Sequence, residues 1–236
     1  KQRIKKALLG DIQLQSRLDI EAQYPERQLS EGQQVTRLCP SPTGFVHIGT
    51  IFTGLICERV AHQSDGTYIL RIEDTDKKRE VEGAKELITK QLGSFGIPPD
   101  EGIQPDGSVN GEYGPYVQSE RRDIYLTYAC ELLDNDRAYP CFATSEELEA
   151  AVEDQKARKQ RPGYYGEWAL WRDESDEAIN DALDAGKPFV LRFKSSGSHE
   201  KRVTISDRIK GKVDLPQTDL DVPLIKMDGS LLPPYH

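Results

Sequence analysis

VTRLCPSPTGFVHIGTIFTGLICERVAHQSDGTYILRIEDTD (35–76) is the stretch whose reading decides the fold. VTRLC (35–39) has the composition of a short buried strand, and a loop of prolines and a glycine follows it. Ile48, Ile51, Phe52, Leu55, Ile56 and Val60 then recur at helical spacing, which predicts a helix from about 47 to 63. SDG (64–66) is a turn signal, and TYILRIE (67–73) reads as a second strand, apolar on both faces. Strand, loop, helix and strand in so short a span make a βαβ unit, hence a parallel sheet. Ligands of such sheets sit beyond the carboxyl ends of the strands. Both the 40–47 loop and the acidic run EDTD (73–76) fall there, so both are expected to face one crevice.

Outward from this unit, helical patterns occupy 82–96 and 121–136. YPCFAT (139–144) reads as a short strand before a helix that Thr144 or Ser145 caps, with Glu147 in its first turn. From 186 the texture changes to KPFVLRFK, KRVTISDRI, GKVDLP and DVPLIKMDG, strand-like runs divided by turns, a mainly antiparallel element. Residues 1–33 are polar and helix-prone and read as an extension packed on the surface. Both ends read as cut, so the chain is expected to be a fragment.

Composition sets limits. With 236 residues, 36% hydrophobic and 30% charged, the chain can build a proper core. No apolar run approaches a membrane span or a signal-peptide core. Cys39, Cys57, Cys130 and Cys141 lack any C-x-x-C pairing, which argues against a disulfide framework or a zinc site and suits a reducing cytosol. The net charge of −9 leaves room for local basic patches at 77–79, 121–122, 156–161, 201–202 and 210–212.

The loop carries the chemistry. A helix N-terminus offers unpaired N–H groups to an anion. Gly44 and Gly49 remove side chains where a ligand must come close, and His47 can donate to a phosphate oxygen. Neither G-x-G-x-x-G nor the Walker pattern occurs, so an ordinary dinucleotide or P-loop site is not supported. Arg37 lies just before the loop, and Glu73, Asp74 and Asp76 lie at the end of the neighbouring strand. Arginine grips carboxylates bidentately and a carboxylate holds an ammonium group, so phosphate, carboxylate and amine meet in one crevice. Each residue also has a plain structural alternative: Glu73 and Asp76 as partners of Arg71 or Lys77, or holding magnesium, Ser41 as a turn former, and Tyr235 as core.

VTRLCPSPTGFVHIGT and LRIEDTD together resemble the active-site signature of class I glutamyl-tRNA synthetases. GPYVQSERRDIY, GKPFVLRFK and IKMDGSLLPPYH resemble later blocks of that family in the same order, so the likeness covers roughly 33–236. It implies an α/β, Rossmann-like parallel-sheet catalytic domain with an inserted α+β domain that binds the tRNA acceptor stem. The implied division is an N-terminal helical extension (1–33), the first catalytic half (34–140), the insertion (141–224) and the return to the catalytic domain (225–236).

The likeness also implies roles. His47, Gly49 and Thr50 would contact ATP, with threonine standing at the fourth position of the HIGH-type element. Arg37 would take the glutamate side chain, assisted by Ser41 and the backbone at Cys39. Glu73 would hold the α-amino group, Tyr235 would line the pocket, and Arg79 would meet the tRNA acceptor end. The implied enzyme is a cytoplasmic, monomeric glutamate–tRNA ligase acting on ATP with Mg²⁺, L-glutamate and tRNA(Glu), without zinc or membrane. The family's KMSKS-type loop, VDDH-type block and anticodon-binding region do not occur in these residues, and PPYH departs from the usual PTYH. The 236-residue chain alone is therefore expected to aminoacylate very poorly. The alternatives are a glutamyl-queuosine tRNA(Asp) synthetase, whose C-x-C zinc element would read Cys141-Phe142-Ala143 here, a glutaminyl-tRNA synthetase, and a non-catalytic tRNA-acceptor-binding module.

Overall fold

The computed structural model describes residues 1–76, 79–227 and 230–233. In chain order the elements are α1 (Gln2–Leu9), α2 (Arg17–Gln23), β1 (Val35–Leu38), α3 (Ile48–His62), β2 (Thr67–Leu70), α4 (Ala84–Ser94), β3 (Gly102–Ile103) and β4 (Val109–Asn110). They continue with α5 (Arg122–Asp134), β5 (Ala138–Cys141), α6 (Ser145–Ala157), α7 (Asp176–Asp184), β6 (Val190–Phe193), β7 (Arg202–Asp207), β8 (Gly211–Pro216) and β9 (Pro223–Ile225). By contact density the chain divides into Gln15–Tyr125 and a second unit of Lys1–Leu14 with the described residues from Leu126 on. The break falls inside α5, whereas the sequence reading changes domain near 140.

In the first unit β1 and β2 pair in parallel from Val35↔Thr67 to Leu38↔Leu70, with α3 as the crossover. The expected βαβ unit is therefore present. Its return turn closes as Gly66 N–H donates to Ala61 O (2.8 Å) and the Ser64 hydroxyl donates to the same carbonyl (2.8 Å). β2 ends at Leu70, sooner than TYILRIE suggested, and isolated parallel bridges set Glu101 beside Ile69 and, past the strand's end, Val117 beside Ile72. Leu38, Tyr68, Leu70, Ile72, Ile88 and Leu92 form the core of this unit. Each such aliphatic side chain contributes about 1.5–3 kcal/mol by leaving water. α3 departs from expectation in its facing: Ile51 is buried, but Ile48 and Phe52 are 80% and 62% exposed. Apolar residues run all round this helix, so spacing alone could not select the inward face.

The second unit holds an antiparallel sheet, β5–β6–β9, and a separate antiparallel ribbon, β7–β8. This matches the texture read from 186 onward. The expected cap is present as a full capping box: Thr144 Oγ1 accepts from Glu147 N–H (3.2 Å) and Glu147 accepts from Thr144 N–H (2.8 Å). α7 was not foreseen; Ser175 starts it by accepting from Ala178 N–H (3.1 Å). The N-terminal stretch is more than a surface cover, since Ile4 and Leu8 are buried in the second unit and Ile20 in the first.

A buried polar network ties the ribbon's foot to this sheet. The Asp221 carboxylate accepts from Tyr139 OH (2.7 Å), Ser195 N–H (2.8 Å) and Arg172 Nη1 (2.6 Å to Oδ2). Arg192 Nη1 donates to the Asp221 carbonyl (2.7 Å) and stacks over Tyr164, 3.9 Å from its centroid. Burial, then the Asp221 contact, push the Tyr139 phenol well upward, so it stays a protonated donor. Among the described residues no helix is long and apolar enough to cross a membrane.

Candidate nucleotide and amino-acid site

The ladder between β1 and β2 does not stop where the strands do. Arg71 N–H donates to Leu38 O (3.0 Å), Glu73 N–H to Pro40 O (3.0 Å) and, further on, Val81 N–H to Pro42 O (2.9 Å). The 40–47 loop is thus sewn by main-chain bonds to the acidic run and to the segment after it. The two motifs expected to share a crevice are neighbours through the backbone itself.

Beyond Pro42 the chain turns sharply, with Gly44 at φ 129°, a conformation that residues with a Cβ rarely adopt. Val46 N–H is held by Gln91 of α4 (3.1 Å). His47 is the N-cap of α3, and its ring is not spent on capping. Its Nε2 lies 3.3 Å from Thr50 Oγ1. A Cβ at Gly49 would come within 3.1 Å of the His47 ring, so glycine there makes room for the imidazole.

A cavity of about 250 Å³ opens under this loop, and Ser41, Thr43, His47, Thr50 and Arg79 are on its wall. Arg79 Nε is gripped by Asp76 (2.6 Å). Arg37 and Glu73 stand together as a second group: Arg37 Nη2 lies 3.9 Å from Glu73 Oε1, an ion-pair distance without a hydrogen bond. Arg71 Nη2 reaches the same oxygen at 3.1 Å, so Glu73, 4% exposed, is bracketed by two guanidinium groups. The structural partnership with Arg71 that the sequence left open therefore exists, beside an Arg37 whose side chain remains 42% exposed.

Asp74 has a different occupation. It is 1% exposed and accepts from Ser119 N–H (2.9 Å), Ser119 Oγ (2.6 Å) and Lys85 Nζ (3.2 Å). It is a brace between the end of β2, the turn at 118–121 and α4. Sequence reading had no role for Ser119 or Lys85, although Ser119 lies within the quoted block GPYVQSERRDIY. Cys39 is exposed at the end of β1. Burial first, and Cys39 second, push the Cys57 thiol up, so it is a protonated weak donor to Arg37 O (3.8 Å). Tyr235 lies outside the described residues.

A roomier cavity, of about 640 Å³, belongs to the second unit and is walled by Phe142, Trp171 and Phe189. Among the described residues none of the candidate site residues is on its wall, although Phe189 and Lys226 belong to the blocks GKPFVLRFK and IKMDGSLLPPYH. Size alone would favour it, but the convergent donors and charges are at the 40–50 loop. Among the described residues no group of three His, Cys, Asp or Glu gathers to hold a metal. Cys141 is buried against Tyr164 OH (3.2 Å).

Known proteins resemble this chain over nearly all of its length. Residues 33–236 match the family model described as tRNA synthetases class I (E and Q), catalytic domain. A glutamate–tRNA ligase of Clostridium perfringens is 54% identical over 213 residues, which cover 90% of this chain and 39% of that protein. One from Sorangium cellulosum is 44% identical, covering 97% and 42% respectively. Among solved structures, a glutamate tRNA ligase from Elizabethkingia meningosepticum, in complex with its amino acid, superposes with a TM-score of 0.72 at 37% identity, covering 87% of this chain and 40% of that one. The chain thus spans about two-fifths of the relatives it matches.

Proposed function

Because the chain belongs to the catalytic domains of the class I tRNA synthetases for glutamate and glutamine, with a Rossmann-like fold, we propose that it supplies the ATP and glutamate site of a glutamate–tRNA ligase. The single observation that carries this is the backbone ladder from Pro40 to Glu73, which sets an anion-receptive helix start beside a carboxylate flanked by arginine.

The reaction has two steps. A carboxylate oxygen of glutamate attacks the α-phosphorus of ATP, the bond to the bridging oxygen breaks, and its electron pair leaves on pyrophosphate. The terminal ribose hydroxyl of tRNA(Glu) then displaces AMP from the activated carbonyl. Neither step asks for a covalent enzyme intermediate, so positioning and fixed charge supply the catalysis. His47 and Thr50 hold phosphate oxygens at the start of α3, and Gly49 lets the chain approach. Glu73 takes the α-ammonium group, exchanging part of its contact with Arg71 for the ligand. Arg37 takes the side-chain carboxylate, with Ser41 and the backbone at Cys39 beside it. A glutamine amide would leave Arg37 without its charge-assisted bond, and sites built on polar pairing discriminate by roughly four to five orders of magnitude. Mg²⁺ enters with ATP as the substrate complex. The second unit, with its antiparallel sheet and ribbon, is the part that meets the tRNA acceptor stem, where duplex RNA is read through backbone and shape. The enzyme works in the cytoplasm.

The test is charging of tRNA(Glu) with labelled glutamate by the full-length gene product, compared with its His47→Ala and Arg37→Ala variants. Loss of charging in both supports the site. Activity unchanged in either refutes the role given to that residue.

A further inference from the structure

The likeness to the synthetases implies that Arg79 meets the tRNA acceptor end, and the structure sets it on the wall of the cavity under the 40–47 loop. Among the described residues that line the 250 Å³ cavity under the 40–47 loop, Arg79 is the one side chain with a permanent positive charge, and no carboxylate is on that wall. Its place there follows from the main chain. Val81 N–H is tied to Pro42 O (2.9 Å), which brings the 79–81 segment against the loop, and Arg79 N–H closes a turn on Asp76 O (3.2 Å). Asp76 Oδ2 accepts from Arg79 Nε (2.6 Å). That contact uses the inner nitrogen of the guanidinium. Among the described residues Nη1 and Nη2 make no hydrogen bond, and these two form the fork that grips a phosphate bidentately.

We infer that Arg79 is a further substrate-binding residue, one that holds the β- and γ-phosphates of ATP in this cavity rather than RNA. The inference rests on the reading of the cavity as the ATP site. A space of about 250 Å³ takes a run of phosphate groups. When the carboxylate attacks the α-phosphorus, the electron pair of the breaking bond moves onto pyrophosphate. A cation already in position there stabilises the charge that develops, with no rearrangement needed. The helix start at His47 and the Arg79 fork then face the same polyphosphate from two segments joined at Pro42 and Val81.

Isothermal titration of the 236-residue chain with ATP, AMP, inorganic tripolyphosphate and an acceptor-stem RNA minihelix tests this, using wild type, Arg79→Ala and Arg79→Lys. The side chain is 73% exposed, so the variants keep the fold, which circular dichroism checks. Arg79→Ala is expected to weaken ATP and tripolyphosphate about tenfold to a hundredfold and to leave AMP unchanged, with Arg79→Lys recovering part of the loss. ATP affinity within twofold of wild type overturns the inference alone. So does a loss confined to the minihelix, or an equal loss for AMP and ATP. A wild-type chain that binds neither ATP nor AMP overturns the ATP reading, and the role of Arg79 with it.

Discussion

Replacing Asp221 by alanine is expected to destabilise the second unit more than the loss of any one hydrogen bond would. Its side chain is fully buried and serves Arg172, Tyr139 and Ser195 together. Removing one partner of a buried ion pair costs about 3–5 kcal/mol, because the remaining charge stays without compensation. Arg172 keeps some solvent access, at 23%, and its Nη2 bond to Ser195 O (2.6 Å), so the lower end applies, about 3 kcal/mol. With a urea slope of about 1–3 kcal/mol per molar, the midpoint falls by about 1–3 M. Both tryptophans of the chain, Trp168 and Trp171, lie in this unit, so their fluorescence follows its unfolding. Trypsin supplies a second readout: the ribbon carries Arg202, Arg208, Lys210 and Lys212, and cleavage there should quicken once its foot is loose. The charge argument makes a sharper demand. Asp221→Leu combined with Arg172→Met removes both charges and should recover more than half of the single-variant loss. A midpoint shift under about 0.3 M for Asp221→Ala, or a double variant as unstable as the summed singles, would refute the reasoning.

Two further outcomes follow from the first unit. His62 Nε2 meets Asp100 (2.9 Å) and its Nδ1 meets Glu58 (2.9 Å); the Asp100 hydrogen bond, opposed by burial and aided by the nearby carboxylate charges, raises the imidazole above its ordinary value. A raised value in the fold means that the stabilisation is complete below about pH 6.5 and is lost as pH climbs through the folded value. The side chain is 39% exposed, so the effect stays under about 1 kcal/mol. The melting temperatures of wild type and His62→Gln should therefore differ most near pH 5.5 and converge above pH 8, roughly; a gap constant with pH sinks the assignment. Gly49→Ala sets a methyl group against the His47 ring at a 3.1 Å contact. Its expected result is ATP affinity about tenfold weaker with an unchanged melting temperature, and unchanged affinity would remove the reason given for glycine there.

Sequence legibility followed the range of the interactions. The βαβ unit could be read because its signals are local: an apolar strand, a helical period, and the SDG turn that Ser64 and Gly66 complete. The cap at Thr144 could be read for the same reason. What stayed hidden is long-range. Nothing in EDTD distinguishes Glu73, bracketed by Arg37 and Arg71, from Asp74, which is consumed by a serine 45 positions away. The inward face of α3 was not legible because apolar side chains surround it. Arg79 looked like one more member of a basic run, and only the Val81–Pro42 bond moves it under the loop. α7 is short and highly charged, and its packing against α1 joins residues about as far apart as Arg3 and Asn180.

The loop between Pro40 and Pro42 is hung from its carbonyls. Both prolines lack an N–H, and both lend their oxygens to the neighbouring segments. Ser41 and Thr43, whose side chains border the cavity, are not what suspends it. Shape and chemistry are thereby uncoupled at these two positions. Evolution, or a saturation library at 41 and 43, can rewrite what the cavity prefers while its scaffold holds still, a freedom that a loop secured by its own side chains would lack.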